Sequence, residues 1–182
     1  MKKSVLCMFL SLLTAVALAD GFNYSVKVQG ANITPSQALQ KVKQNSKHTF
    51  IIDVRTRPEY QVVGHSVGAY NIPYMFWTNK FSGKKYTKQL NADFVKAVMS
   101  RFDIKTDTLI VMCRSGKRSA KAYAALLKTG WDKSKLFNML GGFEGGKVKN
   151  VNSIFNGQRK LGGWRNEGLP WTYHINSKLI YK

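Results

Sequence analysis

Cys113 begins a short run of residues that could perform nucleophilic chemistry, Cys-Arg-Ser-Gly-Lys-Arg, directly after an apolar segment, Thr-Leu-Ile-Val-Met. The five residues after the cysteine could bind an anion: Arg114, Ser115, Gly116, Lys117 and Arg118. The glycine lets the loop close so that its amides point inward, and a following helix and fixed cations add positive potential. Cysteines in such a setting commonly exist as the thiolate. We therefore predict a nucleophilic thiolate at Cys113 and an anion-binding cradle at residues 114–118.

Two other uses of this loop are open. Cys113 could be inert and fill space at a strand end, as free cysteine often does, although a purely structural thiol gains nothing from three nearby cations. A phosphatase or arsenate reductase is the second alternative, since protein tyrosine phosphatases also run from a cysteine to an arginine. Their pattern places five residues between the two, whereas four separate Cys113 from Arg118, and Ser119 stands where the arginine would be. The shorter loop favours a small cradle that fits one extra sulfur atom rather than a tetrahedral phosphate.

Alternating helices and apolar strands surround the loop. Residues 49–54, 108–112 and 136–140 are the apolar runs typical of strands covered on both faces. Helix signals lie before and between them: Thr34-Pro35 starts one helix, Asn91 caps a second, and Gly130 closes a third. The order predicts an α/β domain with a mostly parallel central sheet flanked by helices on both faces. In such sheets ligands gather at the carboxyl ends of strands, where Cys113 lies.

The loop resembles the active-site loop of single-domain rhodaneses, the thiosulfate:acceptor sulfurtransferases. Three more segments resemble that family in the right order: IDVRTRPEY at 52–60, GHSVGAYNIP at 64–73, and a closing segment split between GGFEG at 141–145 and GWRNEGLP at 163–170. Four matches together make a specific signal. The resemblance implies a rhodanese-like fold, Cys113 as the catalytic residue, and residues 114–118 as the donor-binding loop.

The same resemblance implies a mechanism of double displacement. Cys113 would attack the outer sulfur of thiosulfate, release sulfite and hold a persulfide, which a thiol or cyanide would then discharge. This chemistry needs no metal and no organic cofactor. The alternative is a non-enzymatic periplasmic sulfur carrier or binding module that receives persulfide sulfur from a partner protein. Steady-state kinetics with free thiosulfate distinguishes them, because a carrier would load but turn over poorly.

Four residues of the matched segments are expected to support the site rather than to react: Asp53, Arg55, Glu59 and His65. In the family, the residues that match Asp53 and Arg55 more often tie loops together. Glu59 is expected to cap or bridge nearby backbone. His65 is expected to fix a turn, since a preformed thiolate needs no general base. One mature cysteine and three scattered histidines argue against a zinc site.

The first 19 residues have the features of a secretory signal, with a charged start, an apolar middle and small residues before a cleavage site after Ala19. The apolar run is shorter than the roughly 20 residues that span a bilayer, so we expect cleavage, no stable membrane insertion, and a periplasmic or secreted protein. Cleavage would remove Cys7, Lys2 and Lys3, which lowers the basic count from 29 to 27 and the formal charge from +20 to +18. Cys113 would then be unpaired, a liability in an oxidising compartment unless it is buried or has a chemical task.

The remaining positive charge suggests anionic partners. The expected partners are a small anionic sulfur donor, thiosulfate or polysulfide, and a thiol acceptor, with an acidic protein as a further candidate. Export argues against nucleic acid. The lysines are scattered along the chain, which favours solubility as the purpose of most of them.

Composition and motif order divide the chain into a signal (1–19), an N-terminal segment (20–33), a rhodanese domain (34–171) and a tail (172–182). Two insertions stand out, at about 74–90 and at 147–161, and the first is aromatic and basic with a turn signal at Ser82-Gly83. They are either surface loops packed on the domain, or walls of the active-site mouth that dock an anionic sulfur-carrying partner. The tail either packs as an edge strand or extends from the domain without packing on it.

Overall fold

Helices and strands alternate along residues 26–182, the part of the chain that the computed structural model describes. In chain order they are β1 (Asn32–Ile33), α1 (Pro35–Gln44), β2 (Thr49–Asp53), α2 (Arg57–Val62), β3 (His65–Ser66), β4 (Tyr70–Asn71), β5 (Met75–Ser82), β6 (Lys85–Leu90), α3 (Phe94–Met99), β7 (Thr108–Met112), α4 (Lys117–Leu127), β8 (Leu136–Met139), β9 (Gly146–Lys147), β10 (Arg159–Leu161) and β11 (Trp171–Thr172). The predicted signal segment, residues 1–19, lies outside the described residues. Among residues 26–182, none of the helices combines the length and the apolar composition that a membrane span requires.

The central sheet has five strands in the order β1-β8-β7-β2-β4, and every neighbouring pair is parallel. β7 lies in the middle, with Ile110 opposite both Ile51 of β2 and Phe137 of β8. From Leu109 to Met112 its residues are fully buried, as expected for a strand covered on both faces. The predicted α/β fold is confirmed.

Two apolar clusters cover the two faces of the sheet, because successive side chains of a strand point to opposite sides. On one face Leu109 and Val111 pack with residues of α3, α4 and the following loop: Phe94, Val98, Ala122, Leu126 and Trp131. On the other face Ile110 and Met112 pack with residues of α1 and the closing segment: Ala38, Leu39, Val42, Phe143 and Trp164. Helices therefore flank both faces.

The sequence predicts two helix starts, at Thr34-Pro35 and at Asn91, and only the first is confirmed. Thr34 and Thr56 each form a capping box at the start of α1 and α2, followed by proline in the first turn. The predicted cap at Asn91 is wrong, since α3 begins at Phe94, after Asp93. The buried Asn91 side chain instead donates to the Pro73 carbonyl (2.8 Å) and accepts from the Asp93 amide (3.1 Å), so it fixes the turn before the helix.

Both insertions fold into antiparallel pairs. In the first, β5 and β6 form a hairpin whose turn contains Gly83 at φ 61°. In the second, β9 and β10 pair around the intervening loop. The tail packs back on the domain. β11 pairs with β3, and at the sheet edge the Asn71 amide donates to the Leu179 carbonyl (2.8 Å).

Candidate active site

Cys113 lies at the carboxyl end of the central strand β7, next to the start of α4. The residue is 2% exposed, and the Gly116 amide donates to its sulfur at 3.2 Å. Gly116 is the N-cap of α4 and has φ 105°, a left-handed conformation that glycine adopts without strain. The short turn therefore places a backbone donor and a helix N-terminus against one sulfur atom, an arrangement that favours negative charge there.

A glycine-rich segment, residues 141–145, forms backbone hydrogen bonds with the cysteine loop. The Phe143 amide donates to the Cys113 carbonyl (2.8 Å), and the Glu144 amide donates to the Arg114 carbonyl (2.9 Å). A side chain at Gly142 would place its Cβ 2.3 Å from the Cys113 carbonyl oxygen, so only glycine permits this approach. This segment resembles part of a family motif in the sequence, but the resemblance predicted no role for it.

A cavity of about 210 Å³ opens beside the sulfur. Besides Cys113 it is lined by six residues: Lys88, Arg114, Ser115, Lys117, Arg118 and Arg159. Five of the six are cationic, so this cysteine pocket suits a small anion. The structure brings together all of the residues predicted for the cradle, with Gly116 contributing its amide and the other four lining the cavity.

Arg118 is held by Glu59, a link that the sequence did not reveal. The two side chains form a bidentate pair, with Nη1 2.7 Å from Oε2 and Nη2 2.6 Å from Oε1. Burial raises the pKa of Glu59, but hydrogen bonds from Arg118 and Thr56 outweigh it and lower that pKa to about 2. Glu59 also accepts from the Thr56 amide, as expected for a cap. The pair therefore fixes the Arg118 guanidinium at one wall of the cysteine pocket.

Asp53 and Arg55 form a fully buried ion pair outside the pocket lining, with Arg55 Nη2 2.6 Å from Asp53 Oδ2. The same Nη2 donates to the Gly64 carbonyl (2.7 Å), and the guanidinium lies 4.3 Å from the centroid of the Phe143 ring. Burial opposes the charge of Arg55, yet Asp53 raises the pKa of the guanidinium above its usual value. The pair thus ties β2 to the β3 turn and to the segment beneath the cysteine loop.

His65 also lies away from the pocket lining. Its Nδ1 is 3.0 Å from the Tyr60 carbonyl, and its ring stacks on Tyr60 with centroids 3.6 Å apart. Burial lowers the pKa of His65 and favours the neutral ring. This geometry suits the fixing of a turn rather than proton transfer at Cys113.

Lys88 and Arg159 also line the cysteine pocket, although no motif singles out either residue. Each comes from an insertion, Lys88 from β6 and Arg159 from β10. The Lys88 amine lies 3.9 Å from the centroid of the Trp77 ring, and Arg159 donates to the Gly145 carbonyl (2.6 Å). The pKa of the Lys88 amine and that of the Arg159 guanidinium are both lowered. Burial is the main cause, and repulsion from nearby arginines is the second. The insertions therefore wall the site, and the only hint in the sequence was the basic character of the first.

The described residues include no group of three or more His, Cys, Asp or Glu side chains that could hold a metal ion. Ser119, which stands at the position a phosphatase loop would give to arginine, is buried. Its hydroxyl lies 2.8 Å from Asn138 Oδ1 and 2.9 Å from the Gly116 carbonyl. It joins α4 to β8 and does not line the pocket.

Known proteins resemble most of this chain in sequence. A family model described as a Rhodanese-like domain matches residues 34–149. An uncharacterized protein of Rickettsia rickettsii is 33% identical over 143 residues, which are 78% of this chain and 97% of the relative. A chloroplastic protein of Arabidopsis thaliana named thiosulfate sulfurtransferase 16 is 40% identical over 92 residues, 50% of this chain and 68% of that protein.

Solved structures show the same fold. A crystal structure of a protein from M. tuberculosis superposes with a TM-score of 0.61 at 27% identity, and the match covers 79% of this chain and 98% of that one. The solution structure of a rhodanese-like domain from Anabaena superposes with a TM-score of 0.52 at 18% identity, covering 81% of this chain and 82% of that one.

Proposed function

Because the chain belongs to the rhodanese-like domain family, we propose that it is a sulfurtransferase that moves a sulfane sulfur from thiosulfate or a related donor to a thiol or cyanide. The observation that carries this proposal is the position of Cys113, with a backbone amide 3.2 Å from its sulfur at the base of a small cationic pocket. The relative named thiosulfate sulfurtransferase supports the same activity.

In the donor step the Cys113 thiolate attacks the outer sulfur of thiosulfate. A bond forms between the two sulfur atoms, the sulfur–sulfur bond of the donor breaks, and sulfite leaves with the electron pair. The product is a Cys113 persulfide whose outer sulfur carries the negative charge. The Gly116 amide and the cations of the pocket stabilise both the departing dianion and this persulfide.

In the acceptor step a thiolate or cyanide attacks the outer sulfur of the persulfide. The sulfur–sulfur bond breaks, and its electron pair returns to Cys113 as the thiolate. The products are a persulfide of the acceptor, or thiocyanate when cyanide is used. The two steps restore the enzyme without an added oxidant or reductant.

The sequence of residues 1–19 supports export, and we extend the proposal to a periplasmic or secreted location. An exposed free thiol would be oxidised in such a compartment, and the near-complete burial of Cys113 is consistent with this location. N-terminal sequencing of the exported protein tests this part, with Asp20 as the expected first residue. A mature protein that still begins at Met1 would contradict it.

Mass spectrometry after treatment with thiosulfate tests the proposed activity. We expect an added mass of about 32 Da on the intact protein, located at Cys113, because a persulfide carries one extra sulfur. Cys113→Ser should abolish both this addition and thiosulfate:cyanide transfer while circular dichroism stays that of the folded domain. Full transfer by Cys113→Ser would refute the assignment, and loading without turnover in steady-state assays would indicate a sulfur carrier instead of an enzyme.

A further inference from the structure

We infer that the first insertion forms an acceptor site for a low-molecular-weight thiol that carries carboxylates, an inference that rests on the proposed sulfur transfer. The site is a second cavity of about 620 Å³ between the β5/β6 hairpin and the cysteine loop. We call it the hairpin groove, and its main lining residues are Trp77, Lys85, Tyr86, Lys88 and Arg114.

The size of the hairpin groove favours a small molecule over a protein segment. Pockets that bind small molecules commonly enclose roughly 300–1,000 Å³, and the groove lies within this range. The cysteine pocket, at about 210 Å³, is much smaller and suits the sulfur donor. Donor and acceptor can therefore occupy different cavities.

The charge of the groove identifies the class of acceptor. Three of its lining residues are cations, Lys85, Lys88 and Arg114. Residues 74–90 contain no Asp or Glu, so no acidic side chain of the hairpin neutralises them. Cations that no acid of the same hairpin neutralises can bind carboxylates through charge-assisted hydrogen bonds. The aromatic wall adds apolar contact for the carbon skeleton, since Trp77 is 44% exposed and Tyr86 is 58% exposed.

Lys88 and Arg114 connect the groove to the reacting sulfur, because each of them lines both cavities. Lys88 is fixed by its contact with the Trp77 ring. An acceptor whose carboxylates bind Lys85 and Arg114 can direct its thiolate past Lys88 into the cysteine pocket. There it attacks the outer sulfur of the persulfide, breaks the sulfur–sulfur bond and leaves as the acceptor persulfide while Cys113 recovers its electron pair.

Acceptor kinetics with three thiols test this site: mercaptosuccinate with two carboxylates, neutral 2-mercaptoethanol, and cationic cysteamine. We expect mercaptosuccinate to have the lowest KM, by roughly tenfold at low ionic strength, because charge complementarity is strongest there. Lys85→Glu should raise the KM for mercaptosuccinate by roughly fivefold and leave that for 2-mercaptoethanol within about twofold. Trp77→Ala should raise the KM for both thiols through the lost apolar contact.

Lys84→Glu is the matched control, since Lys84 is the exposed neighbour of Lys85 and does not line the groove. It should leave the KM for mercaptosuccinate within about twofold of the native value. Equal KM values for the three thiols, or equal effects of the two charge reversals, would overturn the inference. Persulfide formation from thiosulfate, measured separately, shows whether the proposed function itself holds. If it fails, calorimetric binding of mercaptosuccinate to the same variants still tests the groove, and no difference between them would overturn it.

Discussion

At the level of single residues, the site depends on cations that come from distant parts of the chain. Arg114, Lys117 and Arg118 follow Cys113 directly, whereas Lys88 and Arg159 are brought to it by the two insertions. Arg118 forms an ion pair with Glu59, which holds its guanidinium in place at one wall of the cysteine pocket. Arg159 forms a longer ion pair, in which its Nε lies 3.9 Å from Oε2 of Glu144. Arg159 also donates to the Gly145 carbonyl (2.6 Å), but its carboxylate pair is longer than that of Arg118, so its guanidinium has more capacity to bind an anion.

Arg159→Gln is predicted to weaken binding of thiosulfate. We expect the KM for thiosulfate to rise by roughly tenfold with a smaller change in kcat, because a charge-assisted hydrogen bond to the donor is lost. Initial rates at varied thiosulfate and fixed cyanide measure the effect. Lys160→Gln is the control, since it removes the neighbouring charge from a side chain that does not line the pocket. An unchanged KM in Arg159→Gln would show that this arginine does not contact the donor.

At the level of secondary structure, the loop depends on the close approach of two backbone segments. Residues 141–145 donate two amides to the carbonyls of Cys113 and Arg114, which holds these two loop residues in place. Gly142 makes the approach possible, with φ +59° and no side chain between the segments. The strand end, the helix start and this segment together set the position of the sulfur.

Gly142→Ala is predicted to disrupt the cysteine loop. The new Cβ would lie 2.3 Å from the Cys113 carbonyl oxygen and 2.8 Å from backbone atoms of Arg114 and Ser115, so one of the two segments must move. We expect a loss of several kcal/mol of stability by denaturant unfolding and at least a tenfold slower formation of the persulfide.

Gly157→Ala is the matched control for that substitution. Gly157 also has a left-handed conformation, φ +79°, but an added Cβ there would meet no atom within 4 Å. It should lose only about 1 kcal/mol, from backbone strain alone. Equal losses in the two variants would mean that the close approach beneath Cys113 has no energetic role.

The same elements show how much could be predicted from the sequence. The strands that end at Asp53 and Met112 and the capped start of α1 follow local periodicity and capping signals, and the structure has them. Contacts between loops are not encoded locally. The positions of Lys88, Arg159 and Gly142 depend on how the insertions and the closing segment pack on the cysteine loop, which no periodicity or motif spacing reports. Asn91 was misassigned for the same reason, since its partner is the distant Pro73 carbonyl.

At the level of the whole molecule, the charge is far from balanced. The full chain carries 29 basic and 9 acidic residues, and two of the acids, Glu59 and Glu144, lie beside arginines of the cysteine pocket. A field of this sign raises the local concentration of small anions at a cationic cleft and speeds their association. We therefore predict that the scattered lysines speed the association of small anions, in addition to favouring solubility.

The rate of persulfide formation is predicted to fall with ionic strength in proportion to the charge of the donor. Salt screens interactions beyond about 8 Å at 0.15 M, so the contribution of distant lysines is removed first. Single-turnover rates with the dianion thiosulfate and the monoanion methanethiosulfonate, followed from low to physiological ionic strength, measure the effect. The logarithm of the rate constant at subsaturating donor should fall roughly twice as steeply for the dianion, since electrostatic steering scales with the charge of the ligand. Equal slopes for the two donors would show that the charge of the protein does not guide them, and that the cations lining the cysteine pocket act only after the donor has arrived.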